Sequence, residues 1–163
     1  MLFRSPLGPK ARHLNRDFAY TKGAENQLVH WTRNKALAGA PDPKDAPRAP
    51  VWNDPDSGTL DARARAWLEI NCAHCHNPIG PARNSGLDLT ASQKFPTQWG
   101  VFKTPVAAGR GTGGHDFDIV PSDPNASILM FRMTSIDPGI MMPELGKRMV
   151  HEEGVELDRK SVV

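Results

Sequence analysis

The chain has few cysteines, few aromatic residues and no long apolar run. Its 163 residues include 2 cysteines, and aromatic residues make up 7%. Two cysteines exclude a disulfide-rich scaffold, and without a run of about eighteen apolar residues no membrane-spanning helix is predicted. An excess of one charge is also lacking, since 20 Lys and Arg stand against 18 Asp and Glu. The resulting net charge of +2 argues against a nucleic-acid-binding surface.

Glycine and proline are plentiful, and they predict many loops. The chain has 14 glycines and 15 prolines, and its length fits one domain with an appendage. Residues 1–58 are predicted to be an irregular N-terminal extension, the remnant of an upstream domain. It would carry one helix over residues 25–38, ended by Gly39, and a candidate single strand without its sheet within residues 12–20. Residues 40–58 form its proline-rich linker.

Both cysteines lie in one five-residue stretch, Cys72-Ala73-His74-Cys75-His76. This CxxCH pattern is typical of covalent attachment of a c-type haem. Each thiol adds to one vinyl group of the porphyrin, and His76 becomes the proximal iron ligand. The spacing suits this chemistry because a short turn aligns two sulfurs along one edge of a flat ring. The next residue can then place its imidazole beneath the metal.

Two other uses of a CxxC pair are weaker interpretations. A dithiol redox centre would need a βαβ context, which the sequence does not show. A zinc site would need two more ligands, and His74 and His76 both crowd the same turn. The sequence therefore predicts one covalent haem c, with a zinc-stabilised interaction domain as an alternative.

The second half of the chain has clearer helix signals than the first. Thr59 or Asp61 can cap a helix that runs to about Asn71 and leads directly into the motif. A second helix is predicted to start at Asp123-Pro124, and a last one opens near Val150 and is cut off. Phe95, Trp99, Val101 and Phe102 are predicted to pack in the core or against the haem. A glycine-rich stretch, residues 109–114, matches GxGxxG but lacks a following helix, so it is interpreted as a loop.

The sixth iron ligand is the least determined feature of the predicted site. A thioether ligand stabilises Fe(II) and suits electron transfer. The candidates are Met130, Met133, Met141, Met142, Met149, His115 and His151. Methionines on a helix are more often core residues, whereas Met141 and Met142 lie in a predicted loop that Pro143 stiffens. Met142 is favoured, with Met141 next and His115 third.

These motifs together resemble a class I c-type cytochrome over residues 59–157. The haem motif, the Val120-to-Leu129 turn and helix, Met142-Pro143 and a closing helix carry the resemblance. It implies a mostly α, cytochrome c-like haem module with long loops. It also implies Cys72 and Cys75 as thioether anchors, His76 as proximal ligand and Met142 as distal ligand. The chain is also similar to larger bacterial secreted proteins in which a β-rich domain precedes such a module.

The predicted function is electron transfer to a redox partner protein, with the chain as a carrier and not itself an enzyme. The alternative within haem chemistry is catalysis or gas binding at an open sixth position, lined by His115 and the glycine-rich loop. Covalent haem is attached outside the cytoplasm, so we expect a periplasmic or otherwise exported protein. The first residues do not form a signal peptide, which suggests a module of a longer chain. Residues 158–163 match a translated sequencing adapter, so we expect a non-native tail there.

Overall fold

The computed structural model describes residues 9–145 and 147–161. Their contacts divide them into two compact units, with the division between Pro50 and Val51. The sequence placed this boundary later, at 58/59. The difference arises because the Ser57 hydroxyl accepts a hydrogen bond from the Val51 amide at 2.8 Å. Trp52 also packs against the core of the second unit.

The first unit has two short helices and a β-hairpin. These elements are α1 (Ala11–Leu14), β1 (Asp17–Tyr20), β2 (Gly23–Asn26) and α2 (Gln27–Arg33). The strands are antiparallel, with Asp17 opposite Asn26 and Tyr20 opposite Gly23. The prediction of a single strand without a sheet was therefore wrong. The turn at Gly23 supplies a partner strand, and the start of the predicted strand is the helix α1.

Helix α2 is shorter than the sequence predicted. Its first turn is capped by Asn26, whose side chain accepts from the Leu28 amide at 3.0 Å. The helix ends at Arg33, and the chain already reverses at Lys35, which has a φ of 60°. Gly39 therefore lies beyond the helix end, and its predicted role as the C-terminal cap was wrong.

A buried amide organises the proline-rich segment of the first unit. The Asn15 side chain donates hydrogen bonds of 2.8 Å to the carbonyls of Pro43 and Ala46. It also accepts one from Asn26 at 2.9 Å. Since prolines offer no amide donors, this segment depends on a side chain to satisfy its carbonyl groups.

The second unit contains four α-helices joined by long loops. They are α3 (Leu60–Asn71), α4 (Pro96–Trp99), α5 (Ile128–Thr134) and α6 (Glu152–Ser161). As predicted, α3 is capped by Thr59, whose hydroxyl accepts from the Ala62 amide at 3.2 Å. Helix α5 begins later than predicted, because Ser127 is extended and separates it from a short 3₁₀ turn over Pro124–Ala126.

The core of the second unit forms where α3 meets α6. Trp67 of α3 packs in one cluster with Val155 and Leu157 of α6. Gly154 permits the close approach, because a Cβ there would lie 2.5 Å from the Trp67 ring. The sequence left this contact in doubt because the last helix seemed truncated. The structure shows a ten-residue helix in place.

Helix α6 carries a buried acidic side chain, that of Asp158. Asp158 is 1% exposed. Neither of its carboxylate oxygens has a hydrogen-bond partner among the residues described. Burial raises the pKa of this carboxyl well above its ordinary value. Residues 158–161, assigned from the sequence to a non-native tail, thus form the end of α6 and place an acid where the core is apolar.

Two further predictions concern the loops. Trp99 is 4% exposed, as expected for a core aromatic, but Phe95 and Phe102 are 67% and 58% exposed. The core half of the prediction is therefore wrong for Phe95 and Phe102, and packing against a haem stays a prediction. The glycine-rich stretch forms a 3₁₀ turn over Gly109–Thr112 with no helix after it, as predicted. Every helix in the described part of the chain is too short or too polar to cross a membrane.

Candidate haem-binding site

The CxxCH motif forms a tight turn at the end of α3. The Cys72 amide continues the helical pattern by donating to Leu68 at 2.8 Å. The amides of Cys75 and His76 then both donate to the Cys72 carbonyl, at 3.0 and 2.9 Å. The longest helix of the chain therefore holds the first cysteine, and a single carbonyl fixes the positions of the other two motif residues.

The residues after the motif fold back and lock this turn. The buried Asn77 side chain donates to the Ala73 carbonyl at 2.7 Å and accepts from the Ile79 amide at 3.0 Å. Gly80 packs so closely that a Cβ there would overlap the Cys75 carbonyl. Any side chain at position 80 would therefore push the loop off the turn.

The environment of the two cysteines keeps both thiols protonated. Burial raises the pKa of the Cys72 thiol to about 12, and the nearby Asp158 and Cys75 add to the shift. Burial, with the charge of Glu144, also raises the pKa of Cys75. A dithiol redox centre depends on a stabilised thiolate. This environment therefore disfavours the redox-disulfide interpretation.

The described part of the chain offers no set of ligands for a zinc ion. Nowhere among residues 9–145 and 147–161 do three His, Cys, Asp or Glu side chains converge as metal ligands would. A structural zinc site normally needs four.

His76 is held as a neutral imidazole. Burial, together with the positive charges of Arg132, His74 and Lys103, lowers its pKa to about 4. At neutral pH the ring therefore carries one proton, and one nitrogen keeps a lone pair. A neutral imidazole is the form that ligates a metal.

The hydrogen bonds of Ser85 decide which nitrogen of His76 carries that proton. The Ser85 hydroxyl donates its single hydrogen to the Ala82 carbonyl at 2.7 Å and accepts from the Leu87 amide at 3.2 Å. Nδ1 of His76 lies 3.0 Å from the same oxygen. Because the contact with Ala82 is the shorter, we assign the hydroxyl hydrogen to that carbonyl and a proton to Nδ1, which then donates to Ser85. The lone pair is thereby assigned to Nε2, where it is available to a metal.

A cavity of about 320 Å³ opens beside the motif. Its walls include Trp67 and Ile70 of α3, His74 of the motif, and Met142 and Pro143 of the loop before α6. Cys72, Cys75 and His76 do not line it. The structure thus brings Met142 to the same cavity as the middle of the motif, whereas the predicted anchors and proximal ligand are not among its lining residues.

The structure separates Met142 from its neighbour Met141. The Met142 amide donates to Arg132 at the end of α5 at 3.0 Å, and its carbonyl accepts from the Lys147 ammonium at 3.1 Å. Met141 is bound within its own loop, through its amide to Asp137 at 2.8 Å, and does not line the cavity. The two methionines thus differ in their surroundings, and Met142 as the iron ligand stays a prediction.

Four of the other candidate ligands occupy structural positions, whereas Met149 is 77% exposed and lines the cavity. Met130 and Met133 are 2% and 3% exposed and belong to the core, as expected of helical methionines, although Met133 also reaches the cavity wall. His115 packs against the Phe131 ring at 5.9 Å and does not line the cavity. His151 lines it, but its Nδ1 accepts from the Trp67 indole at 3.2 Å.

Sequence reasoning missed two residues that position the site. Ser85 lies in a short 3₁₀ turn, Arg83–Ser85, and only its folded position brings it to His76. Lys147 is a loop lysine with nothing unusual around it in the sequence. In neither case did the sequence carry a signal, because each acts through a contact that the fold creates.

Comparison with models of protein families, with curated protein sequences and with solved structures found no match in any of the three. The resemblance to class I c-type cytochromes thus remains a prediction from the motifs.

Proposed function

We propose that the chain is an electron-transfer module with one covalent haem c. Cys72 and Cys75 would hold the haem as thioether anchors, and His76 and Met142 would ligate the iron. The observation that carries the proposal is the position of His76 directly after a CxxC turn, with its Nδ1 3.0 Å from the Ser85 hydroxyl and its pKa lowered by burial. The chemistry of the donor set fits a c-type haem.

The bound haem would supply one-electron chemistry at a potential that a His/Met ligand pair shifts towards the ferrous form. The residues of the chain itself do the rest. Helix α3 fixes the anchors, Ser85 fixes the tautomer of His76, and backbone hydrogen bonds to α5 and Lys147 fix Met142. Apolar side chains, among them Trp67, Ile70 and Met133, line much of the cavity beside the motif, and apolar surroundings raise the potential of a haem iron.

The proposal extends to the fold, the partner and the compartment. The contact of α3 with α6 supports a class I-like cytochrome arrangement for the second unit. Such a module serves as a carrier for a redox partner protein and is not itself an enzyme. Because covalent haem attachment takes place outside the cytoplasm, the proposed location is the bacterial periplasm or an equivalent exported space.

The test is to produce the chain in a bacterial periplasm together with c-type haem maturation proteins. We expect a haem that stays with the protein through denaturation and solvent extraction, and that is lost in a Cys72→Ala, Cys75→Ala double variant. A weak near-red band in the ferric spectrum should report the methionine ligand. A protein without bound haem would overturn the proposal, and a high-spin ferric spectrum would favour gas binding or catalysis.

A further inference from the structure

The hydrogen bond at His76 Nδ1 has a feature that iron ligation by the imidazole does not require. Any acceptor could hold the Nδ1 proton, and a backbone carbonyl or a carboxylate would do so strongly. Here the acceptor is the hydroxyl of Ser85, at 3.0 Å. The same oxygen also accepts from the Leu87 amide. Its two lone pairs are therefore shared between two donors, which makes it a weak acceptor for the imidazole.

We propose that Ser85 is a positioning residue for His76 that also sets the electron density on the proposed iron ligand, and so the reduction potential. The inference rests on the proposed function. A strong acceptor at Nδ1 would give the imidazole part of the character of an anion and would favour ferric iron. The weak, shared hydroxyl leaves His76 close to a neutral donor and favours ferrous iron.

The fold gives Ser85 little freedom to move from this position. Its hydroxyl donates to Ala82 at 2.7 Å, and its amide donates to the same carbonyl at 3.0 Å. The Ala82 amide in turn donates to Cys75 at 3.1 Å, which ties the turn to the haem motif. Leu89 closes the loop on the other side by donating to the His76 carbonyl at 3.0 Å. The hydroxyl and the imidazole are thus carried by one hydrogen-bonded unit.

Three substitutions at position 85 test the proposal, because each should change the reduction potential in a predicted direction. Ser85→Ala removes the acceptor, so the potential should rise; Ser85→Asp supplies a carboxylate, so it should fall; Ser85→Thr keeps the hydroxyl and should change little. The Ala and Asp variants should shift the ferrous-to-ferric ratio at a fixed applied potential by roughly three- to tenfold in opposite directions, about 30 to 60 mV for one electron. Loss of packing alone would not produce shifts of opposite sign.

The matched controls are Ser92→Ala and Ser92→Asp. Ser92 is exposed, and its hydroxyl contacts Thr90 at 3.1 Å. These variants remove a hydroxyl or add a charge in the same unit without touching His76, so their potentials should equal that of the wild type. If Ser92→Asp lowers the potential as much as Ser85→Asp, the effect is general charge and the proposal fails.

A second measurement does not depend on electron transfer. In the diamagnetic ferrous protein, the Nδ1 proton of His76 should give a slowly exchanging NMR signal that is lost or exchanges fast in Ser85→Ala and persists in Ser85→Thr. If a haem-loaded Ser85→Ala protein kept the wild-type NMR signal and reduction potential, the proposed role of Ser85 would be overturned. The proposed function would not be affected by that result. Failure of the wild type to bind haem would overturn the proposed function, and this inference with it.

Discussion

The two sides of the proposed haem site are built in different ways. The proximal segment, residues 72–89, is held mostly by hydrogen bonds to its own neighbours, such as Asn77 to Ala73 and Leu89 to His76. The distal loop, residues 137–145 and Lys147, is held by contacts with α5, chiefly Met142 to Arg132 and Lys147 to Met133. A locally held segment depends on its own sequence, whereas the distal loop depends on the packing of the whole unit.

The sharpest test of this difference is Met142→Ala. We expect complete loss of the near-red ferric band and a fall in potential, because the thioether that stabilises ferrous iron is gone. Covalent attachment should be unaffected, since the proximal side does not depend on the loop. The matched control is Met141→Ala, which should keep the band. The opposite result would show that Met141 is the ligand and that the distal loop shifts when haem binds.

Asn77→Ala should damage the proximal side. It removes the amide that bonds Ala73 and Ile79 in a buried position, at a cost of about 2 kcal/mol in the free energy of unfolding. Urea denaturation measures the loss, and haem attachment should fall with it. Asn53→Ala, at an exposed position, serves as the control. Equal stability of the two variants would contradict the view that local hydrogen bonds hold this segment.

Asp158→Leu should stabilise the chain, by about 2 kcal/mol at neutral pH, because a buried carboxylate without a partner is replaced by an apolar side chain. Asp158 also raises the pKa of Cys72, so it acts on the proximal side from a distant helix. Thermal unfolding measures the gain. Glu156→Leu, an exposed position on the same helix, should give little change.

The same residue predicts a pH dependence. The pKa of Asp158 is raised in the folded state above its ordinary value of 3.8. Above about that pH the unfolded chain releases the proton while the folded chain retains it, so the free energy of unfolding falls as pH rises. The free energy of unfolding stops falling once the pH exceeds the pKa of Asp158 in the folded state. Asp158→Leu should remove this slope in urea titrations repeated across pH, and an unchanged slope would show that another group causes it.

Lys147→Met should have the smallest effect, about 1 kcal/mol, because it removes an ammonium that donates to the Met133 and Met142 carbonyls but keeps most of the aliphatic chain. On heating, the near-red band of the variant should disappear at a lower temperature than that of the wild type, with covalent haem attachment intact. Lys94→Met, at an exposed site, should leave the band as it is. If a Lys147 variant lost covalent haem attachment instead, the proximal segment would depend on the distal loop. That result would contradict the distinction between the two sides.

The predictions that agreed with the structure concern features with local causes. The cap at Thr59, the helix that ends at Asn71 and the loop at residues 109–114 follow from residues adjacent to them in sequence. The predictions that disagreed concern features with a distant partner or an early turn. The candidate strand proved to be half of a hairpin, and α2 ended at Arg33 because the chain turns at Lys35 and not at Gly39.

What the sequence alone determined is the motif and the helix that leads into it, since two cysteines and a histidine at fixed spacing need only a short stretch of chain. What only the tertiary structure decided is how those residues are placed: the contact of His76 with Ser85, the different surroundings of Met141 and Met142, and the burial of Asp158. The physical reason is the sequence distance over which each effect acts. Spacing and capping act over a few residues, whereas tautomer, loop position and burial depend on groups that only folding brings together.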